Sequence, residues 1–96
     1  MFQLKFKTRK ISSSLEKKGF QHEEKHHTFF WFYYNGLRTH IKTRISHGSD
    51  EYGNGLLSAM RKQLELSSMK ELEDLINCPM SYDDYIKQLQ DKNLLK

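Results

Sequence analysis

Cysteine and proline are scarce in this chain of 96 residues, which has one of each, and glycine occurs five times. The lone Cys78 excludes an internal disulfide and a cysteine-based zinc site. No apolar run resembles a signal peptide or is long enough to span a membrane. The length predicts one small core with no room for a deeply buried cofactor. We therefore expect a cytoplasmic protein that uses no cofactor or metal and does not contact membranes.

The charge is unevenly distributed along the chain, whose formal net charge is +4 at pH 7. Residues 1–66 carry twelve Lys and Arg against six Asp and Glu, whereas residues 67–96 carry four against six. A basic first part favours contact with an anionic partner such as nucleic acid. The acidic remainder is more typical of packing or of contact with a protein partner.

The first third of the chain alternates between strand and helix patterns. Residues 1–7 place apolar side chains at every second position, which predicts an edge strand. A helix is predicted from Thr8 as N-cap, with Lys17 and Lys18 at its carbonyl end and Gly19 as its stop. Residues 20–24 fit either a short strand or a connector, followed by a turn at Glu24-Lys25.

The pattern of a β-hairpin is centred on Asn35-Gly36, the preferred dipeptide for a two-residue type I′ turn. Residues 26–34 are aromatic, Thr and His, and residues 37–46 alternate apolar or Thr side chains with basic ones and a final Ser. If Tyr34 lies opposite Leu37 and the pairing continues regularly, the residue numbers of each cross-strand pair sum to 71. One face then carries a set suited to a core, including Phe30, Phe32 and Ile41, with His26 opposite Ile45.

The other face of this hairpin combines aromatic rings with cations. The predicted pairs on it are Tyr33 with Arg38, Trp31 with His40, Phe29 with Lys42, and His27 with Arg44. Rings interleaved with cations are typical of surfaces that bind single-stranded nucleic acid, where cations meet phosphates and rings stack on bases. An ordinary solvated sheet face is the alternative, although three large rings are unusual in water.

The rest of the chain predicts three amphipathic helices. Asn54 is a candidate N-cap for a helix with Leu57, Met60 and Leu64 on one stripe. Ser68 and Glu71 have capping-box spacing before a second helix that ends at Pro79. Ser81 begins a third helix.

Histidine is the only residue type on the basic face suited to proton transfer near neutral pH. His27 is the leading catalytic candidate, because a neutral imidazole can take the proton of a ribose 2′-hydroxyl while Arg44 holds the phosphate. His26 is expected in the core, and His40 and His47 are secondary candidates. Adjacent strand residues point to opposite faces, so His26 and His27 cannot both ligate one zinc ion with His47.

A set of residues spread over positions 8–67 forms a further pattern. Its members are Ile11, Leu15, Lys18, Gly19 and Phe20, then His26 and His27, then Ile45, His47 and Gly48, and last Gly55, Leu56, Leu57, Met60, Lys62, Gln63, Leu64, Leu66 and Ser67. With these residues, the segment 8–67 resembles the HicA family of toxin ribonucleases. The resemblance implies an α+β fold like that of double-stranded-RNA-binding domains, α-β-β-β-α with an antiparallel three-stranded sheet. It implies metal-independent cleavage of messenger RNA and neutralisation by a HicB-like antitoxin.

The family's catalytic histidine, at the head of the second strand, corresponds to His27. Glu24-Lys25 stands where the family has Gly-Ser. We therefore predict a HicA-like domain over residues 1–66 and a helical C-terminal extension over 67–96, packed on the same domain. The predicted RNA-binding residues are Trp31, Arg38, His40, Lys42, Arg44 and His47.

Two other functions fit the same sequence. One is a non-catalytic RNA-binding module of the same fold, and the other is a protein-interaction domain that does not bind RNA.

Overall fold

Helices and strands make up most of residues 4–46, 48–77 and 79–95, which are the residues that the computed structural model describes. In chain order the elements are β1 (Phe6–Lys7), α1 (Thr8–Lys17), β2 (Phe20–Glu24), β3 (His27–Tyr34), β4 (Leu37–Ser46), β5 (Glu51–Tyr52), α2 (Asn54–Gln63), α3 (Met69–Asn77) and α4 (Tyr82–Asp91). Cys78 and His47 lie outside the described residues. The predicted α+β class is confirmed.

The main sheet is antiparallel and has the strand order β2-β3-β4, so the predicted three-stranded sheet is confirmed. Residues 20–24 form a strand rather than a connector. The predicted edge strand over residues 1–7 is seen as a strand only at Phe6 and Lys7, within the part of the chain that is described. Those two residues pair with Tyr52 and Glu51 in a separate two-stranded sheet.

The β3–β4 hairpin confirms the turn but corrects the predicted register. Asn35 and Gly36 have φ angles of 53° and 76°, as a type I′ turn requires. Tyr34 pairs with Leu37 and Tyr33 with Arg38, as predicted, but the next pair is Trp31 with Lys42. One residue of β3, Phe32, therefore stands opposite three residues of β4, which form a bulge.

Thr39 stabilises this bulge with its side chain. Its hydroxyl donates to the carbonyl oxygen of Phe32 at 2.8 Å and accepts from the backbone N–H of Ile41 at 3.1 Å. On the other side of β3, the N–H of Tyr33 donates to the carbonyl of Gly19 at 3.0 Å. The backbone groups around Phe32 thus keep hydrogen bonds although the ladder is interrupted.

The turn between β2 and β3 lies one residue later than predicted. Lys25 and His26 form it, and the N–H of Lys25 donates to the carbonyl of His27 at 3.0 Å. The prediction that His26 faces the core is wrong, because its side chain is exposed in the turn. Thr28, not His26, pairs with Ile45.

The helices cover one face of the main sheet, which we call the core face. Phe20, Phe30, Phe32, Ile41 and Ile45 project from it and are at most 6% exposed. They share one hydrophobic cluster with buried residues of all four helices. The ring of Phe32 lies at the centre, with its centroid 5.1 Å from Phe20, 5.8 Å from Tyr82 and 5.0 Å from Tyr85.

Two predicted N-caps are wrong. Lys7 and Gly53 occupy the N-cap positions of α1 and α2, and neither makes a side-chain capping bond. Thr8 instead donates its hydroxyl to the carbonyl of Ser49 at 2.9 Å. The side chain of Asn54 accepts the N–H of Leu4 at 2.8 Å, which ties the start of the described chain to α2.

Ser68 and Ser81 cap the last two helices as predicted, but the predicted capping box of Ser68 and Glu71 is incomplete, because the Glu71 carboxylate accepts from Ser67 rather than from Ser68. The N–H of Glu71 donates to the hydroxyl of Ser68 at 3.2 Å, and the Glu71 carboxylate accepts the N–H of Ser67 at 2.7 Å. Ser81 and Asp84 form a reciprocal capping box at the start of α4.

Tyr82 and Tyr85 of α4 pack against the core face of the main sheet. Tyr85 is fully buried, its hydroxyl donates to the carbonyl of Leu64 at 2.7 Å, and burial raises the pKa of this phenol above its usual range. The Tyr82 ring lies so close to Gly19 that a Cβ at that position would be 2.4 Å from it. Gly19 also has a φ of +92°, so both its space and its conformation require glycine.

A buried polar contact joins α1 to the carboxyl end of α3. Ser14 donates its hydroxyl to the carbonyl of Ile76 at 2.6 Å. One turn later, Lys18 is only 6% exposed, and its ammonium donates to the carbonyls of Leu75, at 3.1 Å, and Met80. The predicted interaction of Lys18 with the end of its own helix is therefore replaced by one with α3, whose last carbonyls favour a cation.

The longest of these helices have ten residues. Across the described ranges, no helix combines the length and the apolar character needed to cross a membrane.

The buried ammonium of Lys18 gives a first prediction. We expect Lys18→Met to lower the free energy of unfolding by about 1–3 kcal/mol, because it leaves two buried carbonyls without their donor. Lys17→Met is the control, since Lys17 is exposed and surface changes typically shift stability by less than about 0.5 kcal/mol. Urea unfolding measures both. Equal stability of the two variants would show that the contact does not stabilise the fold.

Candidate nucleic-acid interface

The alternation of β3 places its rings on two faces of the sheet. Phe30 and Phe32 are 1% and 0% exposed on the core face. Because successive strand residues point in opposite directions, Phe29, Trp31 and Tyr33 project from the other side, which we call the outer face. These three residues are half-buried. The predicted division of the aromatic residues between the faces agrees with the observed burial.

Strand β4 adds four basic residues to the outer face. Arg38, His40, Lys42 and Arg44 are all exposed. The β4 residues that alternate with them, such as Ile41 and Thr43, are buried on the core face. The hydroxyl of Thr43 donates to Oε1 of Gln63 at 2.6 Å. Five of the six predicted RNA-binding residues therefore lie on one face, and the sixth, His47, is outside the described residues.

The bulge changes which of these residues are neighbours. The predicted pairs of Trp31 with His40 and of Phe29 with Lys42 are wrong. In the structure, Trp31 pairs with Lys42 and Phe29 pairs with Arg44. His40 lies within the bulge. A shift of two residues preserves the side of the sheet to which each side chain points, whereas a shift of one would have reversed it.

The cations of β4 lie over the rings of β3. The guanidinium carbon of Arg38 is 4.2 Å from the centre of the Trp31 ring, and the ammonium of Lys42 is 4.8 Å from the same ring. The Lys42 ammonium is also 5.5 Å from the Phe29 ring. These are cation–π distances. The long side chains also shield the rings, which explains how large aromatic groups remain on a solvent-facing sheet.

Strand β2 supplies a border that the sequence prediction missed. Gln21 pairs with Trp31 and Glu23 with Phe29, so both β2 residues belong to the outer face. The Trp31 indole N–H donates to Oε1 of Glu23 at 3.4 Å. The outer face is thus basic along β4, aromatic along β3 and partly acidic along β2. Once residues 20–24 are taken as a strand with Phe20 in the core, the alternation of side chains places Gln21 and Glu23 on the outer face. This was the signal available in the sequence.

A groove opens at the β4 side of the outer face. It is lined by Phe29, Lys42, Thr43, Arg44 and Gln63. It therefore combines a ring, two cations and an amide from the end of α2. Such a lining suits a phosphate next to a flat, apolar group.

His27 begins β3 at one end of the outer face. It pairs with Ser46, so the prediction that it stands directly opposite Arg44 is wrong. The imidazole is half-buried, with its centre 6.5 Å from that of Phe29. Its Nδ1 is buried and has no hydrogen-bond partner among the described residues.

The other described histidines lie in three different elements of the structure. His22 lies on β2 with its Nδ1 3.6 Å from a carboxylate oxygen of Glu16. His26 is exposed in the turn, and His40 lies in the bulge. Within the described ranges, no three His, Cys, Asp or Glu side chains form a group that could hold a metal ion.

Chemically, this face offers fixed positive charge for phosphates, rings for bases, and one imidazole at its end for proton transfer. Comparisons of the chain with protein-family models, with curated proteins and with solved structures found no match.

Proposed function

We propose that this protein binds single-stranded RNA across the outer face of its sheet. The observation that carries the proposal is the placement of Arg38 and Lys42 over the rings of Trp31 and Phe29 on an exposed sheet face. Rings and cations at this spacing can contact an unpaired base and its phosphate together. A duplex hides its base faces, so the rings favour a single strand.

The distribution of charge defines a path for the RNA. Phosphates would follow β4, where Arg38, His40, Lys42 and Arg44 are exposed, and bases would turn towards the rings of β3. The carboxylate of Glu23 on β2 disfavours a phosphate there. The groove beside Phe29 and Arg44 continues this path at the outer edge of β4.

A second candidate function is cleavage of the bound RNA without a metal ion. The favouring observation is that His27 lies at the end of the RNA path and that its Nδ1 has no hydrogen-bond partner among the described residues. In this reaction the 2′-oxygen attacks the adjacent phosphorus, a P–O2′ bond forms and the P–O5′ bond breaks. His27 takes the 2′ proton, and a solvent water molecule protonates the departing 5′-oxygen to give the 5′-hydroxyl. We assign the role of base to Nε2 of His27 because Nδ1 is buried. Arg44, diagonal to His27 on the neighbouring strand, would stabilise the charge on the phosphoryl oxygens.

We also propose that the protein has the fold of double-stranded-RNA-binding domains and is related to the HicA family. The order α1-β2-β3-β4-α2 is the order of elements in the double-stranded-RNA-binding fold. Together with the resemblance of residues 8–67 to HicA toxins, it supports a HicA-like messenger-RNA endonuclease. By the same resemblance, a HicB-like antitoxin is the expected protein partner, and the outer face is where it would block RNA.

Loss of phosphate contacts tests the RNA-binding surface. We expect Lys42→Gln with Arg44→Gln to weaken binding of a fluorescent single-stranded RNA by about 100-fold, because each of the two lost charged contacts contributes about 1.5 kcal/mol, roughly a factor of ten in affinity. The dependence of log affinity on log salt concentration should become shallower by about 1.4. Both residues are exposed, so the melting temperature should not change.

The matched control is Arg9→Gln with Lys17→Gln, which removes the same charge from exposed positions of α1. Equal weakening by the two double variants would mean that net charge, and not the outer face, drives binding. Unchanged affinity in the β4 variant would eliminate the proposed path.

Cleavage is tested separately in EDTA. We expect the wild-type protein to cut single-stranded RNA into 2′,3′-cyclic phosphate and 5′-hydroxyl ends. His27→Ala should lower the rate by about 10²- to 10⁴-fold, the usual contribution of a general acid or base, with RNA affinity retained. His22→Ala, an exposed histidine of β2, controls for contaminating nuclease. If neither wild type nor variants cut RNA that they bind, the protein is a non-catalytic RNA-binding module.

A further inference from the structure

Glu23 is an anomaly on the outer face. Among the described positions of β2, β3 and β4 that point to this side, it is the one that carries a carboxylate. It lies directly opposite Phe29 and accepts the indole N–H of Trp31. An acidic side chain opposes phosphate binding, so its position between two rings calls for another explanation.

The contacts of Glu23 leave both carboxylate oxygens able to accept a hydrogen bond from a ligand, because each carboxylate oxygen has two lone pairs and only Oε1 is in use by the described residues. Oε1 is 3.4 Å from the Trp31 Nε1 and 3.7 Å from the Lys25 ammonium. Oε2 has no partner among the described residues, and the side chain is 42% exposed. The carboxylate is therefore held at the edge of an aromatic ring and is open to a ligand stacked on that ring.

We infer that Glu23 makes this face selective for guanine, an inference that rests on the proposed binding of single-stranded RNA. The Watson–Crick edge of guanine presents two adjacent donors, N1–H and N2–H₂, which match the two oxygens of a carboxylate. Adenine and cytosine present one amino donor beside an acceptor nitrogen. Uracil presents one donor between two carbonyls. Guanine is thus the base that a carboxylate holds with two hydrogen bonds.

The cations do not prevent a base from reaching the rings. Arg38 and Lys42 are exposed and lie over the rings without a hydrogen-bond acceptor among the described residues. Each can exchange the ring for a phosphate when RNA arrives, since a charged hydrogen bond is stronger than an exposed cation–π contact. The guanine then stacks on Trp31 or Phe29, with its donor edge towards Glu23.

The test uses the full chain and short uridine oligomers with one central G, A, C, U or inosine. A single G prevents assembly of the RNA into multistranded forms. By fluorescence anisotropy we expect the G oligomer to bind at least about fivefold tighter than the A, C and U oligomers, the lower end of the effect of a bidentate base contact. Inosine lacks the N2 amino group and should fall between.

Two variants locate the preference. Glu23→Gln replaces one acceptor oxygen by an N–H₂ group and should abolish the preference for G without weakening binding to the all-uridine oligomer. Glu24→Gln is the matched control, because it makes the same charge change on the neighbouring residue, which points to the opposite side of the sheet. It should keep the preference. Equal melting temperatures show that both variants are folded.

Equal affinity for all five oligomers, or a preference that survives in Glu23→Gln, overturns the guanine subsite and leaves the proposed RNA binding intact. A preference for A or C that Glu23→Gln removes also overturns it. If no oligomer binds at all, the proposed function itself fails.

Discussion

The burial of Phe32 is the constraint on which the candidate site depends. Its ring packs between Phe20, Tyr82 and Tyr85, and its carbonyl accepts the hydroxyl of Thr39. Because strand side chains alternate, fixing this ring in the core forces Trp31 and Tyr33 to the outer face. The bulge in β4 then brings Lys42 opposite Trp31. The surface chemistry of the protein thus follows from the packing beneath it.

The last two helices contribute to this packing from the core face. Leu72, Leu75, Ile76, Tyr85 and Leu89 are 0% exposed and belong to the same cluster as the sheet residues. The close approach of Tyr82 to Gly19 and the buried contact from Lys18 to α3 join these helices to α1 and β2. The described helices therefore pack on the core face of the sheet, and the cations of the outer face are exposed.

Local patterns predicted the features that depend on neighbouring residues. Asn35-Gly36 fixed the turn, and the period of two in β3 and β4 separated core from outer face. The bulge could not be predicted, because it depends on a hydroxyl of Thr39 replacing backbone hydrogen bonds. Burial of Lys18 depends on carbonyls almost sixty residues away in sequence. Glu23 was missed because its face follows from the register of β2, which requires the true position of the turn.

The central claim is that RNA contacts the rings of the outer face. Trp31 is the only tryptophan in the chain, so its fluorescence reports directly on this surface. Titration with unlabelled single-stranded RNA should quench Trp31 emission in parallel with binding measured by anisotropy, and added salt should reverse both. RNA binding that leaves Trp31 emission unchanged would contradict the account.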